Sequence, residues 1–412
     1  MESEIPKVLH SVAGRPMLSH VLDAAAAVAP LRTIVVVGHG MDAVAEVIDS
    51  NLTVTQEPQL GTGDAVLQTQ PKLNDFNGDV LVLFADSPLI TSETMKRLVD
   101  ARRSAGNPAV AVLGFRPVDP AAYGRLVTDE SGRLEAIVEF RDADEAQREI
   151  DLCNGGVMAI DGAILFNYLS QVGKDNYKGE YYLTDLIGIA RRNGRECVVV
   201  ECPEEETYGV NSRADLSMAE AVMQKRLRTT AMTNGVTMID PDSIFMSADT
   251  TFGRDVLIEP HVYFGPGVHI SDGVHIRAFS HLEGATVASG AIIGPYARLR
   301  PGADIGAEAR IGNFVEVKAA TVESGAKVNH LTYIGDARVG KGANVGAGTI
   351  TCNYDGVAKN YTDIGAGAFI GSNSSLIAPV TIGDGAIVGA GSAISRDVTA
   401  ESLALTRAKQ TE

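Results

Sequence analysis

The sequence predicts two folds in one chain: an α/β domain over its first half and a parallel β-helix over its second. Three observations predict this. From about residue 10 to residue 200, short continuous apolar runs alternate with segments of helical spacing, the pattern of strands buried on both faces by helices. Residues 213–234 hold neither glycine nor proline and carry several charges, which predicts a single connecting helix. After residue 250 the hydrophobic period becomes six and holds its register almost to the end of the chain.

In the first segment MLSHVLDAAAAVA has helical spacing, TIVVVG is an apolar run, and MDAVAEVI is helical again. DVLVLFAD is a second run, TSETMKRLVDARRSAG a helix with its own cap, and AVAVLGF a third run. Together these predict a parallel sheet covered on both faces, with RLVTDESGRLEAIVEF as an inserted hairpin. In open α/β sheets ligands bind at the carboxyl ends of strands, and Asp86 falls at such an end. A carboxylate there suits Mg²⁺ held against a triphosphate, or the N-cap of a helix. LGTGDA, residues 60–65, is either a backbone cradle for a ligand or a plain turn.

In the second segment VLIEPH, VYFGPG, VHISDG, VHIRAF and their successors repeat an aliphatic residue at a fixed place with Gly or Ala beside it. Each block makes one flat side and one corner, about three blocks close a coil, and coils stack at roughly 4.8 Å. Two interruptions, around SGAKVNHLTYIGDA and TCNYDGVAKNYTD, are expected as long loops thrown out of the coil, where function concentrates. His269, His275 and His281 recur every six residues, so they face three different sides and cannot share one metal ion. His330, with Glu316, Lys318, Asn353 and Tyr354 in neighbouring blocks, suits a general base oriented by a carboxylate; a structural hydrogen bond explains it equally. Cys352 has no basic surroundings and reads as a small buried residue.

A length of 412 residues allows two or three domains, and a net charge of −17 argues against nucleic acid or anionic membranes as partners. Small anionic substrates need only local cations. The four cysteines form no CxxC pair, which excludes a zinc ribbon. No apolar run spans a bilayer and no signal or lipidation motif stands out, so a soluble cytoplasmic protein is expected.

PKVLH, LGTGDA, FADSPL, YGR, IVEFRDA, GEYYLTD, GVNSR, RLRPGA, GNFVEVK, HLTYIGDA, GAGTITCNYDG and SLIAPVTIG stand in this order along the whole chain. In these motifs the sequence resembles the bacterial bifunctional N-acetylglucosamine-1-phosphate uridylyltransferases/glucosamine-1-phosphate acetyltransferases. The resemblance implies a Rossmann-like nucleotidyltransferase domain over 1–212, a helical linker over 213–234 and a left-handed β-helix acetyltransferase domain over 235–412. It also places Met1 inside the family's glycine-rich loop. The first strand, that loop and a basic C-terminal tail are thus expected to be missing here, and uridylyl transfer is expected to depend on the missing loop.

The implied activities are acetyl transfer from acetyl-CoA to glucosamine 1-phosphate, then uridylyl transfer from UTP to N-acetylglucosamine 1-phosphate with release of pyrophosphate. The product, UDP-N-acetylglucosamine, is a cell-wall and lipopolysaccharide precursor. By the resemblance, Lys7 neutralises phosphate charge, Gln56, Gly61 and Thr62 contact uracil, and Gly124, Glu139 and Asn154 hold the sugar. Asp86 and Asn211 bind Mg²⁺. In the β-helix Arg300, Lys318, Tyr333 and Asn344 bind the acetyl acceptor, His330 is the base and Glu316 its orienting partner. Ala347, Asn353, Tyr354, Ser372, Ala390 and Arg407 line the acetyl-CoA site, which the family builds between subunits of a homotrimer. Two other readings compete: a sugar-nucleotide pyrophosphorylase whose β-helix only regulates or oligomerises, and a non-catalytic assembly protein.

Overall fold

A computed structural model describes residues 1–38, 42–48, 53–120 and 123–411. The chain divides into two compact units, Met1–Val222 and Met223–Glu412, and the helix Arg213–Thr233 contributes residues to both. Among the described residues no helix is long and apolar enough to cross a membrane.

The first unit is built on the wholly buried strand Val110–Phe115. Cys197–Glu201 pairs with it in parallel on one side, and Cys153–Asp161 pairs antiparallel on the other. Asp79–Val82 lies on the far side of Cys153–Asp161, also antiparallel to it. The expected all-parallel sheet is therefore corrected to a mixed one. The chain leaves Val110–Phe115 at its carboxyl end, makes the hairpin Arg125–Thr128/Leu134–Val138 there, and returns in the opposite direction, so that Phe115 lies opposite Cys153. The parallel pair Val35–Gly38 and Thr53–Gln56 forms a ladder of its own. The helix expected over 41–48 is described as Asp42–Ala45, with Met41 outside the described residues.

The capped helix forms at Ser92–Arg102, where the Thr91 hydroxyl accepts a hydrogen bond from Thr94 N. Met95 and Leu98, one turn apart, bury against Ala111, Leu113 and Ala159 of the sheet; each contributes roughly 1.5–3 kcal/mol. At the start of the long helix Ser212 and Asp215 cap reciprocally: Asp215 Oδ2 accepts from Ser212 N (2.8 Å), and Ser212 Oγ accepts from Asp215 N (3.1 Å). Asp215 Oδ2 also accepts from Asn211 N (2.9 Å), so the cap fixes Asn211.

The second unit is a left-handed parallel β-helix. Successive coils pair in parallel at separations of seventeen or eighteen residues, as in Thr251↔His269, Leu257↔His275 and His281↔Arg298. Apolar residues on each side, such as Ile258, Phe264, Ile276, Leu282 and Ile293, fill a continuous interior. His269, His275 and His281 lie on three different sides; they contact Thr251, Glu259 and the Tyr263 ring respectively.

Of the two expected loops, only one leaves the coil. Ile350 pairs with Ser375, so residues 353–361 bulge out between them. The segment around HLTY instead stays in register, with Asn313↔His330 and Glu316↔Tyr333. His330 thus ends the strand Lys327–His330 at a coil corner rather than sitting in an inserted loop. Leu331 repeats the left-handed corner of Tyr296 and Phe314 (φ 50°, 54° and 55°). The coil one residue short is absorbed at the next corner instead: Leu299↔Val317 are eighteen residues apart, Ala303↔Ala320 seventeen, and Ala319 between them has φ 44°.

Candidate active sites

In the first unit the expected residues gather in three groups, each assembled from distant segments. Lys7 Nζ donates to Asp86 Oδ2 (2.5 Å) and to Asn211 Oδ1 (3.0 Å). Asp86 stands four residues beyond the strand Asp79–Val82, and its carbonyl accepts from Val210 N (2.9 Å), which ties it to the segment that carries Asn211. Gln56 ends its strand and donates to Gly61 O (2.9 Å). Gly61 has a φ of 116°, and a Cβ there would stand 2.6 Å from Tyr181 O, so only glycine fits. Thr62 Oγ1 accepts from Leu183 N (3.0 Å), and Gly63 N donates to Tyr181 O (2.8 Å). LGTGDA is therefore strapped to GEYYLTD by backbone bonds and is more than a plain turn.

Asn154 N donates to Gly124 O (2.8 Å), and a Cβ on Gly124 would lie 3.4 Å from Glu139 Oε2. Burial pushes the Glu139 carboxyl above its ordinary range, and Asp142 and Asp185 add to this against the opposing charge of Lys178. Because Val82 lies opposite Met158, the start of Cys153–Asp161 sits beside the carboxyl end of Asp79–Val82. Asn154 and Asp86 thus occupy the same end of the sheet.

In the second unit the coil register turns scattered residues into columns. Asn313 pairs with His330, and the carbonyls of Asn313, His330, Ala347 and Ser372 accept from Leu331, Gly348, Asn373 and Gly391 one coil further on. Asn313, His330, Ala347, Ser372 and Ala390 therefore rise along one corner, and Arg407 Nη1 donates to Ala390 O (2.6 Å). On the adjoining side Lys318 lies one coil above Arg300, and Tyr333 one coil above Glu316. Asn344 lies on the side that precedes the corner, one coil above Lys327.

The His330 ring is held by Asn313, whose Oδ1 lies 2.7 Å from Nδ1. An amide oxygen only accepts, so Nδ1 carries the proton and Nε2 keeps its lone pair. The close approach of these two coils needs glycine at 312, since a Cβ there would collide with Asn329 O. Glu316, expected to orient His330, is instead bound by Arg300 Nη1 (2.8 Å) and faces Arg298 Nη1 (3.7 Å). Its side points away from the corner, towards the arginine column.

Two family models match the chain. That for a MobA-like NTP transferase domain covers residues 1–150, and that for a bacterial transferase hexapeptide of six repeats covers residues 361–396. Two proteins called bifunctional protein GlmU are similar over the whole chain. The one from Paramagnetospirillum magneticum is 58% identical over 100% of this chain and 92% of its own length. That from Rhodospirillum rubrum is 61% identical over 99% of this chain and 91% of its own. The chain belongs to the GlmU family. Among solved structures, a UDP-glucose pyrophosphorylase complexed with UDP-glucose matches 54% of this chain and 91% of that one, at 16% identity and a TM-score of 0.44.

Two residues of this GlmU-family chain that contact the expected ones escaped the sequence reading. Asn313 is found by stepping one coil back from His330. Lys359 stands on the one true excursion, paired with Tyr354 across the 353–361 loop. The loop is closed by Asp355, whose Oδ1 accepts from Val357 N (2.9 Å) and Ala358 N (2.7 Å). It returns Lys359 against Lys318, and the contact with that neighbouring amine lowers the Lys359 pKa. Lys318 also faces Asp336 Oδ2 (3.6 Å), which the buried Asn353 side chain binds in turn. Arg300, Lys318 and Lys359 form a local cationic group on a chain of net charge −17, the local field a small phosphate ester requires. Tyr354 is exposed, its hydroxyl donating to Gly356 O (2.7 Å). Cys352 is half-buried rather than fully enclosed, because it sits where the excursion begins.

Proposed function

We propose that each unit of this chain carries one of the two transfers by which UDP-N-acetylglucosamine is made, at the side chains described above. The chain is a bifunctional acetyltransferase and uridylyltransferase. The reading of the β-helix as a catalytic domain, and not a regulatory prism, rests on one observation: a histidine with its Nδ1 engaged by Asn313, on the corner that adjoins the side carrying Arg300 and Lys318.

In the second unit Arg300, Lys318 and Lys359 neutralise the phosphate of glucosamine 1-phosphate, with Tyr333 and Asn344 on either side of the corner. The acceptor amine attacks the thioester carbonyl of acetyl-CoA. A nitrogen–carbon bond forms, the carbon–sulfur bond breaks, and His330 Nε2 takes the ammonium proton and passes it to the departing thiolate. Acetyl-CoA lies along the column Ala347, Ser372, Ala390 with Arg407, flanked by Asn353 and Tyr354. A homotrimer completes this site.

In the first unit the sugar-phosphate oxygen attacks the α-phosphorus of UTP and pyrophosphate leaves, a reaction governed by positioning and charge. Gln56, Gly61 and Thr62 hold the base, Gly124, Glu139 and Asn154 the sugar. Asp86 and Asn211 fit Mg²⁺: they are hard oxygen donors, and both already converge on one cation, the Lys7 ammonium. Mg²⁺ held by Asp86 and Asn211 would supply charge neutralisation to the phosphates, leaving the Lys7 ammonium available to them as well. The reactions take place in the cytoplasm, where these phosphorylated substrates are found.

Both half-reactions on the purified chain test this: CoA release from acetyl-CoA with glucosamine 1-phosphate, and pyrophosphate release from UTP with N-acetylglucosamine 1-phosphate. Acetylation that survives His330→Ala unchanged refutes the base assignment.

A further inference from the structure

Gln56 is buried and its amide is locked. Nε2 donates to Gly61 O (2.9 Å) and to Asp64 Oδ2 (2.7 Å), while Asp64, also buried, accepts from Gln68 Nε2 on Oδ1 (3.1 Å). Both partners of the Gln56 nitrogen, a carbonyl and a carboxylate, can only accept. Turning the amide over would set Oε1 against two oxygens, so the network itself decides which end is which. Among the described residues Oε1 receives no hydrogen bond, and it is absent from the polar atoms that are buried and unpaired. The oxygen is therefore presented to the site as an acceptor with no donor character.

We propose that Asp64 is a positioning residue that sets base specificity. By fixing Gln56 as an acceptor, it makes the site take a pyrimidine nucleotide whose base offers N3–H and reject one whose N3 is a lone pair. This rests on the reading of Gln56 as a base contact. A uracil N3–H satisfies Oε1, whereas a cytosine N3 leaves two acceptors facing each other out of water. A site built to hydrogen-bond one partner discriminates strongly against an analogue that cannot. Thymine keeps N3–H and passes this filter.

The test is calorimetric titration of the full chain with UDP, TDP and CDP. The native chain is expected to bind UDP about a hundredfold more tightly than CDP, with TDP nearer to UDP. In Asp64→Ala only Gly61 O is left to hold the Gln56 amide, which then turns over more readily, and the UDP/CDP ratio falls about tenfold. Asp64→Asn, which can still offer an oxygen, restores most of the ratio. Asp64→Ser, polar but too short to reach Nε2, behaves like alanine and serves if alanine unfolds the loop. Acetyl transfer in the same preparations reports that the chain is otherwise intact. A UDP/CDP ratio within twofold of native in both Asp64→Ala and Asp64→Ser, while Gln56→Ala abolishes the preference, overturns the role of Asp64 and leaves the base contact standing. A preference that survives Gln56→Ala refutes the base contact and the proposal with it.

Discussion

Replacing Asn313 by alanine removes the one hydrogen bond that fixes the His330 ring, the 2.7 Å contact to Nδ1. A neutral hydrogen bond of this kind has a net worth of about 0.5–1.5 kcal/mol. The variant also releases the ring to rotate and to exchange its two tautomers, so part of the population presents a protonated Nε2 that accepts nothing. Taking about 1.4 kcal/mol in all, kcat of acetyl transfer falls about tenfold. The KM values for acetyl-CoA and glucosamine 1-phosphate change little, because Asn313 touches neither in the proposed arrangement. Asn313→Asp places a negative charge at the same atom and favours the imidazolium, so the acid limb of the kcat profile moves up by about one pH unit. In a His330→Ala background the Asn313→Ala change adds nothing, as expected of residues acting as a unit. Steady-state kinetics across pH, with uridylyl transfer as the internal control, measure all three. A kcat within twofold of native at every pH, or an equal loss in the His330→Ala background, refutes the orienting role.

Removing the base itself by His330→Ala lowers kcat by about a hundredfold or more, read by CoA release. Lys359→Ala raises the KM for glucosamine 1-phosphate about tenfold with a smaller change in kcat, since one of three clustered cations is lost. Glu139 gives a pH test of stability. Its folded pKa lies above the ordinary 4.5 through burial, so the folded state binds more protons than the unfolded one in that window, and stability falls as pH rises through it. Glu139→Gln should therefore melt higher than the native chain at pH 7, with the difference vanishing near pH 4, and an unchanged difference contradicts the burial argument. Burial pushes the Cys197 thiol up to about 11 and the Cys202 thiol to about 12, so neither should be alkylated in the folded chain at pH 7.5, as mass spectrometry reads. Truncation near residue 330 exposes an unpaired coil, and light scattering should then show aggregation rather than a monomer.

The six-residue period determined the β-helix by itself, because an interior that accepts one aliphatic side chain per flat side imposes that period directly on the sequence. The apolar runs likewise placed Val110–Phe115 and Asp79–Val82 as strands, and the carboxyl-end rule placed Asp86. The runs carried no information on strand direction. Pairing is set by where the chain re-enters the sheet, and Cys153–Asp161 re-enters reversed after the hairpin. The segment at HLTY read as a loop, yet the coil keeps its register through it, and the residue dropped per coil is lost at the following corner, where the stack continues.

The partner of His330 was hidden for a related reason. Chemistry favoured Glu316, a carboxylate nearby in sequence, but side chains on successive coils meet only if they share a column or stand in adjoining ones, as Glu316 and Arg300 do. Asn313 shares the column of His330, while Glu316 belongs to that of Arg298. Lys359 lay beyond any periodic argument, because an excursion has no register, and its return to Lys318 is decided by the Asp355 turn. The sequence by itself thus determined the repeat and nominated the candidate reactive groups. Which groups face each other was decided only by tertiary structure, since contact between coils depends on a register accumulated over every residue in between.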